Sequence, residues 1–169
     1  SYLTAQAFRA VPHTRAVVFA VSGRLGMATR TDGQGGGQDL PASERFYAGG
    51  DTTVRSFALD RLGVRHVPAQ ATDTIDSSGF PLGGNALVLV NGELRIPVVA
   101  GITMATFVDA GNVFATVSAI DAREIRSAVG LGIRYKSPVG PLRFDVGVKV
   151  PRRVGDSRAA WFLTFGEAF

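Results

Sequence analysis

The sequence predicts an all-β chain: about seven or eight strands of an antiparallel transmembrane β-barrel. Three observations predict it. Apolar and polar residues alternate with period two along seven stretches. Each stretch is close to the ~9–11 residues that a tilted membrane strand needs. The connections alternate between short turns and long links, which gives the barrel one smooth end and one ragged end.

A first strand is expected at about residues 2–10, followed by a short turn at 12–14. The second covers 15–27. Its odd positions read Val17, Phe19, Val21, Leu25 and Met27, and its even positions Ala20, Ser22 and Arg24. A long link follows at about 30–84. The third and fourth strands lie at about 85–97 and 102–113, joined by the turn at 97–101. The fifth, 123–135, sets Ile125, Val129, Leu131, Ile133 and Tyr135 against Arg126, Ala128, Gly130, Gly132 and Arg134. A link at 114–122 precedes it and the turn at 136–141 follows it. The sixth, 142–149, sets Leu142, Phe144, Val146 and Val148 against Arg143, Asp145, Gly147 and Lys149. After a link at 151–159 the last strand, about 160–169, aligns Trp161, Leu163, Phe165 and Phe169. No segment has a helical period.

The faces admit two readings. In a water-soluble sandwich the polar face would be the outer one. In a membrane barrel the apolar face meets lipid and the polar face lines the lumen. Strand length, the asymmetry of the connections and the terminal aromatic favour the barrel. Parity then places Ser1 on the long-link side. Bacterial single-chain barrels have an even strand number with both termini on the short-turn side. The expectation is therefore the C-terminal portion of a larger barrel, whose N-terminal strands lie upstream and close the sheet.

Composition narrows the chemistry. Although 46% of residues are hydrophobic, no run approaches the ~20 apolar residues of a spanning helix. Cysteine is absent, which excludes disulfides and thiolate metal sites. His13 and His66 are far apart, so no metal and no cofactor is expected. The net charge of +4 is spread along the chain without interleaved aromatics. That speaks against nucleic acid and suits anionic lipid head groups. Enzyme motifs are missing. Ser56, Asp60 and His66 could form a hydrolytic trio only without the Gly-x-Ser-x-Gly elbow. Asp73 and Asp76, beside Ser77 and Ser78, read as solvated. "GQGGGQ" (33–38) lacks the Lys-Ser/Thr of a phosphate loop.

The long link contains "ERFYAGGDTTVRSFALD" (44–60). Its turn residues Gly49, Gly50 and Asp51 sit beside Phe46, Tyr47, Val54 and Phe57, which a solvated loop has no reason to hold. One cation, Arg55, is bracketed by them. On the third strand Val88, Val90, Leu94 and Ile96 share a face, so Glu93 shares the opposite one with Asn91 and Arg95. The same parity on the fourth strand sends Asp109 inward.

These residues resemble the outer-membrane assembly factors of the BamA/TamA type, the bacterial surface antigen superfamily. Four stretches carry the resemblance in the family's order: "ERFYAGGDTTVRSF", "GGNALVLVNGELRIPV" (83–98), "FVDAGNVF" (107–114), and "GLGIRYKSPVGPLRFDVGV" (130–148) followed by "FLTFGEAF". One departure stands at the loop tip. The family has Gly after the Arg, and this chain has Ser56, which adopts a positive φ only at a cost. The resemblance implies a barrel of about sixteen strands in the bacterial outer membrane. It implies that the long loop enters the lumen with a tip of Val54, Arg55, Ser56 and Phe57. It places Arg55 near Glu93 and Asp109, and it makes Trp161, Leu163, Phe165 and Phe169 a C-terminal sorting signal.

The implied function is non-enzymatic insertion or translocation of β-rich proteins, through a first-to-last strand seam that opens sideways. The partners would be outer-membrane lipid, unfolded barrel clients, the upstream strands and periplasmic repeats. Two other readings stay open: export of one dedicated passenger, as in two-partner secretion or a patatin-fused lipase, and a passive channel or structural barrel. If Phe169 ends a sorting signal, deleting it from the full-length protein slows membrane insertion and leaves synthesis intact. Pulse-chase measurement of protease-resistant folded barrel checks this, and an unchanged insertion rate would reduce Phe169 to an interfacial aromatic.

Overall fold

A computed structural model of the chain describes residues 1–12, 17–29, 40–138, 140–153 and 155–166. It is one seven-stranded antiparallel sheet: β1 (Tyr2–Ala10), β2 (Val18–Met27), β3 (Ala86–Val99), β4 (Ile102–Phe114), β5 (Arg126–Ser137), β6 (Gly140–Lys149) and β7 (Ala160–Phe165). Each strand pairs with its neighbours in chain order. Among the described residues the helical content is three 3-10 turns, Ala42–Glu44, Val117–Ala119 and Ala122–Glu124.

Some strand bounds differ from the sequence reading. β5 starts at Arg126 and not at 123. Asp121 accepts a hydrogen bond from the backbone N–H of Arg123 and caps the 3-10 turn Ala122–Glu124, which takes those residues out of the ladder. β3 runs past Pro97, which pairs with Thr103, to Val99, which pairs with Ile102 after a register shift. β7 is assigned to Phe165, and Phe169 lies outside the described residues, as do His13 and the 33–38 glycine run.

The two faces invert the pattern of a water-soluble sheet. Phe19, Val90, Met104, Val108, Leu131, Ile133, Trp161 and Leu163 are exposed. Ser22, Asn91, Glu93, Asp109, Arg134, Arg143, Asp145 and Lys149 are buried. A broad exposed apolar face over strands of this length is a lipid-facing face. The sandwich reading, which puts the polar face outside, is set aside.

The polar face is buried because the loop between β2 and β3 folds onto it. Isolated bridges Phe46–Gly84, Ala48–Leu62 and Ile75–Pro81 give the loop its own scaffold. Ala48, Val54, Phe57 and Leu62 pack against Leu87, Leu89, Val113 and Ala128 of the wall. Thr74 Oγ1 accepts from the Val64 N–H at 2.8 Å and donates to the Val113 carbonyl at 3.1 Å. Asp73, expected to be solvated, is 4% exposed. Its carboxylate accepts from the backbone N–H groups of His66 and Gln70 at 3.0 and 2.9 Å, so it is a turn-forming group and not a surface charge.

Leu131, at the centre of β5, tests the lipid-facing assignment. Leu131→Arg in the full-length protein should lower its unfolding free energy in bilayers by about 2–4 kcal/mol. Urea titration of the vesicle-reconstituted barrel measures this, and a neutral result would place Leu131 in water.

Candidate functional site

The loop tip is a tight reversal with Arg55 at its apex. Gly49 and Gly50 have φ of 121° and 96°, and a Cβ on Gly49 would collide with the Ala58 carbonyl. Gly49 N–H donates to Thr53 Oγ1 at 2.7 Å, and Gly50 N–H to the Phe57 carbonyl at 2.8 Å. The Val54 carbonyl accepts from Ser56 and Phe57 at 2.8 and 3.1 Å. Asp60 is the one non-glycine with positive φ among the described residues. Ser56 therefore replaces the family's glycine here without left-handed backbone. Its buried hydroxyl has no hydrogen-bond partner among the described residues.

Arg55 is 1% exposed. Its Nε and Nη2 donate to Asp109 Oδ2 and Oδ1, both at 2.8 Å. Its backbone N–H donates to Asp109 Oδ2 at 3.0 Å. Nη1 donates to Glu93 Oε2 at 2.5 Å and lies 3.9 Å from Asp145 Oδ2. The guanidinium carbon stands 3.7 Å above the Phe107 ring centroid. This is the planar, bidentate geometry that suits arginine and that lysine cannot reproduce. Burial works against the charge, but hydrogen bonding and attraction to Asp109, then Glu93, outweigh it and raise the Arg55 pKa above its ordinary value.

The cluster is larger than sequence reasoning reached. Glu93 also accepts from Arg95 Nε and Arg134 Nη2, each at 2.9 Å. Asp145 accepts from Arg134 Nη1 at 2.7 Å, and Arg143 Nε lies 3.1 Å from it. Arg143 Nη2 reaches across to the loop, donating to Asp51 Oδ2 at 2.6 Å and to the Asp51 carbonyl at 2.9 Å. Asn91 donates to Asp109 Oδ1 at 2.9 Å and to the Thr53 carbonyl. Arg134, Arg143, Asp145 and Asp51 were missed as partners. Alternation along β5 and β6 had already put the first three on the polar face, and that was the available signal.

The partners divide unevenly. Glu93 holds three guanidinium groups. Asp109 has one cation within ion-pair distance among the described residues, and it is Arg55. Room for the tip comes from glycines on the inner face. A Cβ on Gly147 would occupy the position of the Arg55 carbonyl, one on Gly130 would strike the Phe107 ring, and one on Gly132 would strike Asp145.

The other expected residues are placed as follows. Val54 is fully buried against the wall, and Phe57 is buried between Arg126 and Lys149. Trp161, Leu163 and Phe165 project from the apolar face of β7, and Phe169 lies outside the described residues. The trio Ser56, Asp60 and His66 is not assembled: His66 Nδ1 lies 2.6 Å from Asp73 Oδ1, and Ser56 Oγ meets no hydrogen-bond partner among the described residues. No group of three or more His, Cys, Asp or Glu among the described residues is placed to hold a metal.

Comparison with known proteins gives a consistent picture. The model of the Omp85 superfamily domain matches residues 1–169. The chain is 29% identical to the outer membrane protein assembly factor BamA of Nitratidesulfovibrio vulgaris over 85% of its length. It is 30% identical to the corresponding factor of Neorickettsia risticii over 71%, and 23% identical to that of Neisseria meningitidis serogroup B over 94%. It spans 17%, 16% and 22% of those relatives. A crystal structure of BamA from Haemophilus ducreyi lacking POTRA domains 1–3 superposes with a TM-score of 0.71 at 21% identity, covering 94% of this chain and 33% of that one.

The uneven partnering yields a graded expectation. Arg55→Ala strands Asp109 and should cost the full-length barrel about 3–5 kcal/mol. Arg55→Lys should lose less, because a point charge remains without the fork. Adding Asp109→Asn to Arg55→Ala should recover much of the loss, whereas adding Glu93→Gln should not, because Glu93 keeps Arg95 and Arg134. Equilibrium unfolding of the four variants decides it, and equal rescue by both second changes would refute the assigned pairing.

Proposed function

The chain belongs to the Omp85 superfamily, and on that premise we propose that it is the C-terminal part of an outer-membrane barrel that inserts other β-barrel proteins without chemical catalysis. Its location is the bacterial outer membrane. The similarity to BamA proteins, which are outer membrane protein assembly factors, supports this reading.

The observation that carries it is the end of the sheet. β2 to β6 are joined by ladders of 10 to 13 paired residues, whereas β6 and β7 share six among the described residues. The far edge of β7 has no partner there. Unpaired backbone groups in lipid cost several kcal/mol each, so this edge needs a partner strand. An incoming strand can add to the edge by main-chain hydrogen bonds that are indifferent to its side chains. The upstream strands that close the barrel, and periplasmic repeats that deliver clients, are the remaining parts of this proposal. Arg55 and its acids hold the wall in shape while the seam exchanges partners.

Depletion of the full-length protein in its host is the test. Assembly predicts a fall in many outer-membrane barrels together, read by quantitative proteomics of the membrane fraction. Loss of a single secreted passenger with normal barrel levels would instead assign a dedicated export pore.

A further inference from the structure

Beyond the arginine clasp, loop and wall enclose a second polar space. At the long-link end of β5 and β6, a cleft of about 460 Å³ lies between Phe57, Arg61 and Arg65 of the loop, Arg126, Lys149, and Asp156 of the β6–β7 link. It continues into a cavity of about 270 Å³ that shares Arg65, Arg126 and Asp156 and adds Arg153. Five cations therefore line a space with one carboxylate. That carboxylate is already engaged, accepting from Arg126 Nη2 at 2.5 Å and from the Arg153 N–H at 2.7 Å. Arg153 is also held by Glu124 at 2.6 Å.

Lys149 is the group this arrangement leaves over. It is 7% exposed. Its ammonium carries three donors, yet among the described residues it makes one hydrogen bond, to Ser157 Oγ at 2.6 Å, and faces the Phe57 ring at 4.6 Å. No carboxylate among the described residues is within ion-pair distance of it. Asp156 attracts it from beyond ion-pair distance but is already held by Arg126 and Arg153, and a buried ammonium without a close counter-ion is expensive. Arg61 and Arg65 each engage a single backbone carbonyl, of Gly79 and Ser77, and keep further N–H donors for the cleft.

We infer that this cleft binds a phosphorylated ligand, seated on Lys149, Arg126 and Arg65. The donors come from the loop, from two strands and from the link, and so from several directions. A phosphate accepts on oxygens arranged tetrahedrally, which matches such a set better than a planar carboxylate does. The cleft is larger than one phosphate and has Phe57, Ala58 and Ile75 in its lining. The phosphate therefore sits on a carrier such as a sugar or glycerol. Two sources share that chemistry: a phosphorylated lipid head group at the ragged end of the barrel, and a soluble phosphate ester. The site stands independently of the assembly reading.

The test uses the full-length protein in phosphatidylcholine nanodiscs, titrated with inorganic pyrophosphate by calorimetry at low salt. One saturable site is expected. Lys149→Met and Arg65→Gln should each weaken it about tenfold or more, Lys149→Arg should retain most of it, and Arg9→Gln on β1 should leave it unchanged. Arg65 is exposed on the loop, so Arg65→Gln decides the matter even where Lys149→Met fails to fold. Nanodiscs containing phosphatidic acid separate the sources. Competition with pyrophosphate that is lost in the variants assigns a lipid head group, and retained pyrophosphate binding assigns a soluble ester. Absence of saturable binding, or binding unaffected by both substitutions, overturns the inference.

Discussion

Asp109 sits buried on β4 with a single cation in reach among the described residues, and that cation arrives on a loop 54 residues away in sequence. A carboxylate in such a place is tolerated only when its counter-charge is delivered with good geometry. Much of the architecture around it follows from this constraint. The loop must enter the wall, and its apex must be arginine so that one side chain can grip both oxygens of Asp109 while reaching Glu93. The backbone N–H of the same residue adds a third bond to Asp109, which ties the position of the chain, and not only of the side chain, to β4.

The second condition is space. A polar wall of ordinary side chains would hold the loop away. β5 and β6 instead present Gly130, Gly132 and Gly147 where the Phe107 ring, the Arg134–Asp145 pair and the loop-tip carbonyl come close. The tip then touches several strands at once. Asn91 of β3 holds Thr53, Asp109 of β4 holds Arg55, and Arg143 of β6 holds Asp51. Apolar contacts from Val54, Phe57 and Leu62 give the loop a reason to leave water, and the ion pairs select where it lands. The loop thus braces the wall from β3 to β6, one strand short of β7. Under the proposed assembly role, such a braced wall would confine opening to the edge beyond it.

The acids are not equivalent within this brace. Glu93 and Asp145 each pair with wall arginines, while Asp109 pairs among the described residues only with the loop's Arg55. The wall's charge balance is therefore local. This modifies the simple picture in which two inward carboxylates share one arginine. It arises because Arg95, Arg134 and Arg143 lie on the same polar parity and reach the acids across neighbouring strands.

The sequence alone determined the all-β class, the strand order and the face on which each strand residue lies. Side chains alternate strictly along a strand, so one unbroken apolar series assigns Glu93, Asp109, Arg134, Arg143 and Asp145 together. It also marked the loop as unusual through Phe46, Val54 and Phe57, because aromatic and aliphatic residues beside two glycines are out of place in water. Strand ends were less legible. The 3-10 turn at Ala122–Glu124 comes with a cap, and the continuation of β3 beyond Pro97 to Val99 with a register shift, neither of which periodicity encodes. Only the tertiary structure decided which acid meets which base. Parity fixes a face but not a height, and the pairing of Arg143 with Asp51 spans 92 residues. The burial of Asp73 and the isolation of Lys149 belong to the same class. Both follow from how a long loop folds back over the wall, and that path is set by packing between segments distant in sequence, which no local pattern records.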